Sequence, residues 1–90
     1  MAETKGRKHL SLDGYERPAK VDETISLNVA ALFSSELGKE VLKYLRSITI
    51  ESVHGAGVSD AQLRHAEGQR YIVGIIEGRV KHAHKVKENE

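Results

Sequence analysis

The stretch SDAQLRHAEGQRYIVGIIEGRVKH, residues 59–82, decides the fold of this 90-residue chain. Ser59 and Gln62 have the spacing of a capping box, in which each side chain bonds the other residue's backbone N–H at a helix start. Asp60 adds negative charge to the first turn and basic residues follow at the far end, as the helix dipole favours. No proline interrupts the stretch. It therefore predicts one long helix over residues 59–83.

One face of this helix is predicted to be apolar and wide. At about 100° per residue, several large apolar side chains fall within one arc of about 120°, with charged residues and glycines opposite. Such an arc is wider than one partner helix covers, so we expect part of it to contact another chain. The candidate partner-binding residues are Ile72, Val73, Ile76 and Val80 on the apolar side, with Glu67, Arg70, Gly74 and Gly78 on the other.

Two pairs of these candidate residues can also be explained without a partner. Gly74 and Gly78 have the four-residue spacing that lets another backbone approach a helix closely, but the simpler explanation is that they are glycines tolerated in a helix stabilised elsewhere. Glu67 and Arg70 are three residues apart. They either bind a partner or form an exposed ion pair worth less than about 1 kcal/mol.

A second helical region precedes the first. Apolar residues recur at helical spacing between residues 26 and 47: Ala30, Phe33, Leu37, Val41, Tyr44 and Leu45. Ser34-Ser35-Glu36 is an internal start signal, so the region is either one kinked helix near residues 28–46 or two helices that meet at residue 34. Gly38, at the edge of the apolar stripe, permits close packing. We predict an all-α fold, an antiparallel helical hairpin domain over residues 26–83.

The flanking segments are predicted to lie outside this domain. Residues 1–25 carry five basic and five acidic residues and few large apolar ones, which is typical of an extended arm. Residues 84–90 form a charged tail. The chain shows neither the apolar region of a signal peptide nor a membrane span, so we expect it in the host cytoplasm or in a particle assembled there.

The composition argues against most kinds of chemistry. Fourteen basic and 13 acidic residues leave a net charge of +1, without the basic surplus of a dedicated nucleic-acid binder, and cysteine is absent. Five histidines occur, and His82 and His84 face different directions on a helix. His54 and His65 could approach across the loop, but a third ligand is not evident. We predict no catalytic residues, no cofactor and no metal.

A family resemblance rests on two segments. The first runs from Leu32-Phe33-Ser34-Ser35 through Gly38 and Val41-Leu42 to Leu45; the second joins Glu67-Gly68-Gln69-Arg70 to Ile72, Ile75 and Ile76. Their order resembles a family of small tailed-bacteriophage proteins encoded among the head and DNA-packaging genes of short-tailed phages. That family often has a basic residue at the position of Gln69. The resemblance implies a phage setting and no enzymatic activity.

Three functions are compatible with these observations. The first is a minor structural or assembly component of a phage particle that binds larger virion proteins (capsid, portal or tail), copies of itself, or both, through the apolar helix face and the N-terminal arm. The second is a helical adaptor or regulator that binds a packaging enzyme or a host protein and never enters the particle. The third is a DNA-binding accessory that uses the basic end formed by Arg79, Lys81, Lys85 and Lys87.

Overall fold

The structure, a computed structural model, describes residues 8–89 as a short β-hairpin followed by three helices. The elements are β1 (Lys8–Leu10), β2 (Glu16–Pro18), α1 (Ala19–Phe33), α2 (Glu36–Ile48) and α3 (Asp60–Glu88). The strands pair antiparallel, with His9 opposite Arg17. The predicted all-α class is therefore approximately right, and the small sheet is an addition to it.

The break between α1 and α2 lies where the serine pair predicts it. Ser35 caps α2, because its hydroxyl accepts a hydrogen bond from the Gly38 N–H at 3.0 Å. Gly38 is buried, and a Cβ placed there would overlap the backbone carbonyl oxygen of Leu32. Glycine at this position is thus required for the close approach of the two helices, as the sequence indicates.

The contacts of α1 and α2 on α3 follow an antiparallel order. Lys20 and Glu23 line one pocket with the end of α3 at Asn89. Further along the chain, the Ser26 hydroxyl and the His82 imidazole are hydrogen-bonded at 2.7 Å. Arg46 then donates to Glu77 at 2.6 Å, and Arg70 donates to the Thr49 carbonyl at 3.1 Å. As the chain advances from 26 to 49, these contacts therefore move back along α3 from 82 to 70.

The helix bounds differ from the predicted ones at both ends of the chain. The first helix begins at Ala19, directly after the extended residue Pro18, and not near residue 28. The last helix continues to Glu88, beyond residue 83. The expected arm over 1–25 is therefore a hairpin plus the first turns of α1, and most of the expected tail is helical; residues 1–7 lie outside the described part.

The physical reason for the early helix start is polar packing. Asp22 and Ser26 are buried in α1, where apolar periodicity gives no signal. The buried hydrophobic residues are few, and most are small: Ala30, Ala66, Val73 and Ala83. Arg79, by contrast, is the largest side chain among those fully buried in the described part of the chain. Its hydrogen bonds therefore contribute to holding the first half of α1 and the hairpin against α3.

Candidate partner-binding surface

Arg79 connects three elements through its guanidinium group. Only 2% of the residue is exposed. One terminal nitrogen donates to the Asp22 carboxylate at 2.5 Å, to the Asp22 carbonyl at 3.0 Å and to the Ser26 hydroxyl at 3.0 Å. The other donates to the Ser11 hydroxyl at 2.9 Å and to the Asp13 carboxylate at 3.2 Å. Arg79 thereby fixes the β-hairpin and α1 on α3.

The two carboxylates of this cluster are held in the charged form. Burial alone would raise the pKa of Asp22, but hydrogen bonds from Ser11, Arg79 and His9 lower it to about 2. The hydrogen bond from Arg17 and another from the Tyr15 backbone N–H keep the pKa of Asp13 well below its usual range. An acid–base catalyst needs a pKa near the working pH. These carboxylates instead balance the buried charge of Arg79.

The β-hairpin covers part of α3 on its glycine side. The Tyr71 hydroxyl donates to the Asp13 carbonyl at 3.0 Å. A Cβ built on Gly78 would lie 3.6 Å from Cδ1 of Leu12, whereas one built on Gly74 would meet open space. Gly78 therefore faces the hairpin of its own chain, and Gly74 remains open to solvent.

The four predicted apolar contact residues of α3 do not share one environment. Val73 is 4% exposed and packs inside the protein, while Ile76 and Val80 are half-buried. Ile72 is 58% exposed. The apolar face of α3 is covered further than the sequence indicated, because α1 and α2 both pack on it. Val73 is consequently unavailable to a partner, and Ile72 is the large apolar candidate that stays accessible.

The predicted polar pair has a structural role. Arg70 donates to Glu67 at 2.8 Å, and it also donates to the backbone carbonyls of Thr49 at 3.1 Å and Ser52 at 2.8 Å. Glu67 itself is exposed. Arg70 therefore ties the segment that follows α2 to α3, which its spacing from Glu67 did not indicate.

Ile72 borders a groove between the end of α2 and the first half of α3. The groove has a volume of about 570 Å³ and is lined by Leu45, Ile48, Thr49, Arg64, His65, Gly68, Gln69 and Ile72. A Cβ on Gly68 would meet nothing within 4 Å, so this side of α3 is open to an incoming chain. The groove combines exposed apolar side chains with a charged and polar edge.

A second pocket adjoins the groove at the start of α3. Its lining includes His54 and His65, which the sequence suggested could approach across the loop. Within residues 8–89, no group of three or more histidine or acidic side chains is placed to hold a metal ion. The pocket therefore offers an open surface without a metal-binding arrangement among these residues.

The outer face of α2 is also apolar and accessible. Leu37 is 77% exposed, and Val41, Tyr44 and Ile48 are exposed as well. The sequence placed Leu37, Val41 and Tyr44 in the stripe expected to pack against α3. Instead Leu42 and Leu45 are the half-buried apolar residues of α2, and the remainder of its apolar arc points away. Leu42 widens the apolar arc of α2. The width of this arc is the feature of the sequence that indicates an apolar face of α2 directed away from α3.

One of the four basic residues predicted to form the basic end of α3 is buried inside the protein. Arg79 is buried in the cluster described above, while Lys81, Lys85 and Lys87 are exposed. Arg79 is thus unavailable for phosphate contacts. Separately, none of the described helices combines the length and the apolar character that crossing a membrane would require.

Comparison with known proteins identifies a family and no individual relative. The family model described as Bbp19-like phage protein matches residues 29–89, which include α2, α3 and most of the second half of α1. Neither a curated protein nor a solved structure matches the chain. The matched range includes the groove and both of its apolar borders, Ile48 and Ile72.

Proposed function

We propose that this chain, which belongs to the family of Bbp19-like phage proteins, is a minor assembly component of a phage particle that binds a larger particle protein. The contact surface is the groove between α2 and α3, which Ile48 and Ile72 border. The family membership supports the phage setting, and the exposed groove is the observation that carries the binding role. We assign no catalytic activity to the chain.

The groove has the composition of a protein-binding surface. Ile48 and Ile72 are large apolar residues with about half of their surface exposed. Burial of that remaining surface against a partner would stabilise a complex by roughly 1 kcal/mol for each residue. Arg64 and Gln69 supply a polar edge, which is the usual arrangement of an apolar centre and a hydrophilic rim. A partner segment entering above Gly68 could approach the α3 backbone closely, because no side chain intervenes there.

The β-hairpin provides a second contact region for the same partner. Leu10 and Tyr15 are exposed on it, and β1 pairs with one strand, β2, within the described part of the chain. A short exposed strand edge can pair with the sheet of another protein. The network around Arg79 holds this hairpin in a fixed position, so the two contact regions are presented together.

The experiment compares particle incorporation of two variants. Ile72→Asp places a charge in the groove, and Val53→Asp places the same charge at an apolar residue that is 93% exposed outside the groove. Both proteins are first shown to have unchanged circular dichroism. We then expect Ile72→Asp to be lost from purified particles and Val53→Asp to be retained, as quantified by mass spectrometry. Normal incorporation of the Ile72 variant would refute the role of the groove.

The same measurement separates the particle component from an adaptor that acts outside the particle. The unaltered chain is expected in mature particles or in their precursors at a constant ratio to the major proteins. Its absence from both would contradict the proposal and favour a regulator of packaging or of a host protein.

A further inference from the structure

A polar pocket lies between the start of α1 and the end of α3. The pocket has a volume of about 450 Å³ and is lined by Lys20 and Glu23 of α1 and by His82, Lys85, Val86 and Asn89 of α3. Because α1 and α3 run antiparallel, residues from opposite ends of the chain meet here. The groove at Ile72 shares none of these lining residues. The pocket is therefore separate from the proposed partner-binding surface.

The proton on the His82 imidazole is placed by its neighbours. The Ser26 hydroxyl accepts a hydrogen bond from the Arg79 guanidinium at 3.0 Å and lies 2.7 Å from Nδ1 of His82. A guanidinium only donates, so the single hydroxyl proton of Ser26 is donated to Nδ1. Neutral His82 consequently carries its own proton on Nε2. Within residues 8–89, the imidazole makes a hydrogen bond through Nδ1 only. Its Nε2–H is therefore a donor without an acceptor in this part of the chain.

Two ammonium groups line the same pocket. Lys20 and Lys85 are both exposed, and the ion pairs in the described part of the chain include neither of them. Glu23 is the acidic residue among the lining residues and is half-buried. With His82 neutral, two lysines and one glutamate leave the pocket with a net charge of +1. The pocket thus combines a positive charge with N–H donors on both of its helices.

From these donors and this charge, we infer that the pocket binds a phosphate group. A phosphate is negatively charged and has several strong acceptor oxygens, so Lys20, Lys85 and the Nε2–H of His82 can each donate to a different oxygen. A carboxylate offers two oxygens in one plane and would leave one of the three donors unused. The pocket is also much larger than the ~30 Å³ that one water molecule occupies in the liquid. It therefore leaves room for a sugar or a base attached to the phosphate.

Two sources supply such a group, a small phosphate compound and the backbone of a nucleic acid. Both present the same oxygens to the pocket. Lys81 and Lys87 are exposed on the same end of α3 but outside the pocket, and a nucleic acid is long enough to contact them as well. Binding of a nucleic acid would also weaken steeply as the salt concentration rises, because bound cations release its counterions. These two properties distinguish the sources.

The first test titrates the full chain with inorganic phosphate at about pH 7.5, where histidine is mostly neutral. We expect saturable changes in the nitrogen–proton NMR signals of the Lys20 and Lys85 backbone and of the His82 imidazole. The expected dissociation constant is about 1–10 mM, because a few polar contacts at an open pocket bind weakly. Sodium chloride at the same ionic strength is the control. Changes that do not saturate, or that chloride reproduces, would overturn the inference.

The second test changes the charges of the pocket one at a time. Lys20→Gln and Lys85→Gln are each expected to raise the dissociation constant for phosphate about three- to tenfold. Lys81→Gln removes the same charge from an exposed position of α3 outside the pocket and should leave the dissociation constant nearly unchanged. Glu23→Gln should lower it about threefold, because a carboxylate no longer opposes the anion. Equal effects of the three lysine variants would show a general attraction by net charge and overturn the inference.

The third test examines His82 as a donor. In the free chain, the nitrogen signals of the imidazole should show the proton on Nε2, and phosphate should shift that signal. His84 is an exposed histidine of the same helix outside the pocket, and its imidazole should not respond. A proton on Nδ1 of His82, or an equal response of the two histidines, would contradict the role of His82.

The fourth test separates the two sources with a fluorescent DNA duplex of about 20 base pairs, measured by anisotropy at several salt concentrations. Binding that is weakened by Lys20→Gln, Lys81→Gln and rising salt would assign the phosphate group to a nucleic acid. Saturable binding of inorganic phosphate without binding of the duplex would assign it to a small phosphate compound. Duplex binding that Lys20→Gln and Lys85→Gln both leave unchanged would overturn the role of the pocket.

Discussion

Arg79 of α3 and Asp22 of α1 form a buried ion pair, with 2.5 Å between the guanidinium nitrogen and the carboxylate oxygen. Their residues are 57 positions apart in the chain, so the pair joins the two ends of the fold. Ser11, Ser26 and Asp13 complete the hydrogen bonds of the guanidinium. The buried hydrophobic residues of the described part of the chain are mostly small. This polar contact is therefore important for holding α1 and the hairpin against α3.

Removing Arg79 should destabilise the protein strongly. In Arg79→Met the carboxylate of Asp22 stays buried without its cation, and breaking such a pair costs about 3–5 kcal/mol. The measurement is urea unfolding followed by circular dichroism. Arg64→Met removes an exposed arginine from the same helix and should change the free energy of unfolding by less than about 0.5 kcal/mol. An equal decrease in the free energy of unfolding in both variants would show that the buried cluster does not account for the effect of Arg79→Met.

The same cluster predicts how stability depends on pH. The pKa of Asp22 is lowered to about 2 in the folded protein, against a value near 3.9 in the unfolded chain. A lowered folded pKa stabilises the protein fully above about pH 5, and that contribution is lost as the pH falls toward 2. It is on the order of 2 kcal/mol. We would measure the free energy of unfolding of the unaltered chain and of Asp22→Asn between pH 7 and pH 2. The difference in unfolding free energy between the two proteins should become smaller as the pH falls.

Alanine substitutions at two helical glycines should have opposite signs. Gly38→Ala places a Cβ against the Leu32 carbonyl, so we expect a loss of about 1–3 kcal/mol despite the better helix propensity of alanine. Gly74→Ala meets open space and should stabilise the folded chain by about 0.5–1 kcal/mol. Thermal unfolding of both variants provides the comparison. A stabilising effect of Gly38→Ala would mean that α1 and α2 can separate without cost.

Arg70 should protect the segment after α2 from proteolysis. Its guanidinium donates to the carbonyls of Thr49 and Ser52, and loss of these charge-assisted bonds in Arg70→Met should cost about 1–3 kcal/mol locally. We expect faster cleavage within residues 50–58, mapped by mass spectrometry after limited digestion. Glu67→Gln removes only the exposed ion-pair partner and should leave the cleavage rate nearly unchanged. Similar rates for the two variants would assign the protection to the ion pair.

The starts of α2 and α3 could be predicted from capping residues that lie next to them in the sequence. The Ser59 hydroxyl accepts from the Gln62 N–H at 3.2 Å, and the Gln62 side chain accepts from the Ser59 N–H at 2.8 Å, as a capping box requires. The start of α2 at Glu36 followed from the serine before it. A cap involves residues three positions apart, so its chemistry is readable from the order of residues alone. The family resemblance, which rested on short segments at the end of α1, in α2 and in α3, was confirmed by the family match over residues 29–89.

Tertiary structure decided which apolar residues stay accessible and where α1 begins. Helical periodicity places Ile72 and Val73 on the same arc, yet one is exposed and the other is buried, because only part of α3 is covered by α1 and α2. Periodicity likewise gives no reason for a helix to begin at Ala19. That start depends on Asp22 meeting Arg79, a contact between residues 57 positions apart that a pattern of neighbours does not contain. Arg79 can be buried because Asp22 lies beside it in the folded protein. Such a contact between distant residues depends on the tertiary structure.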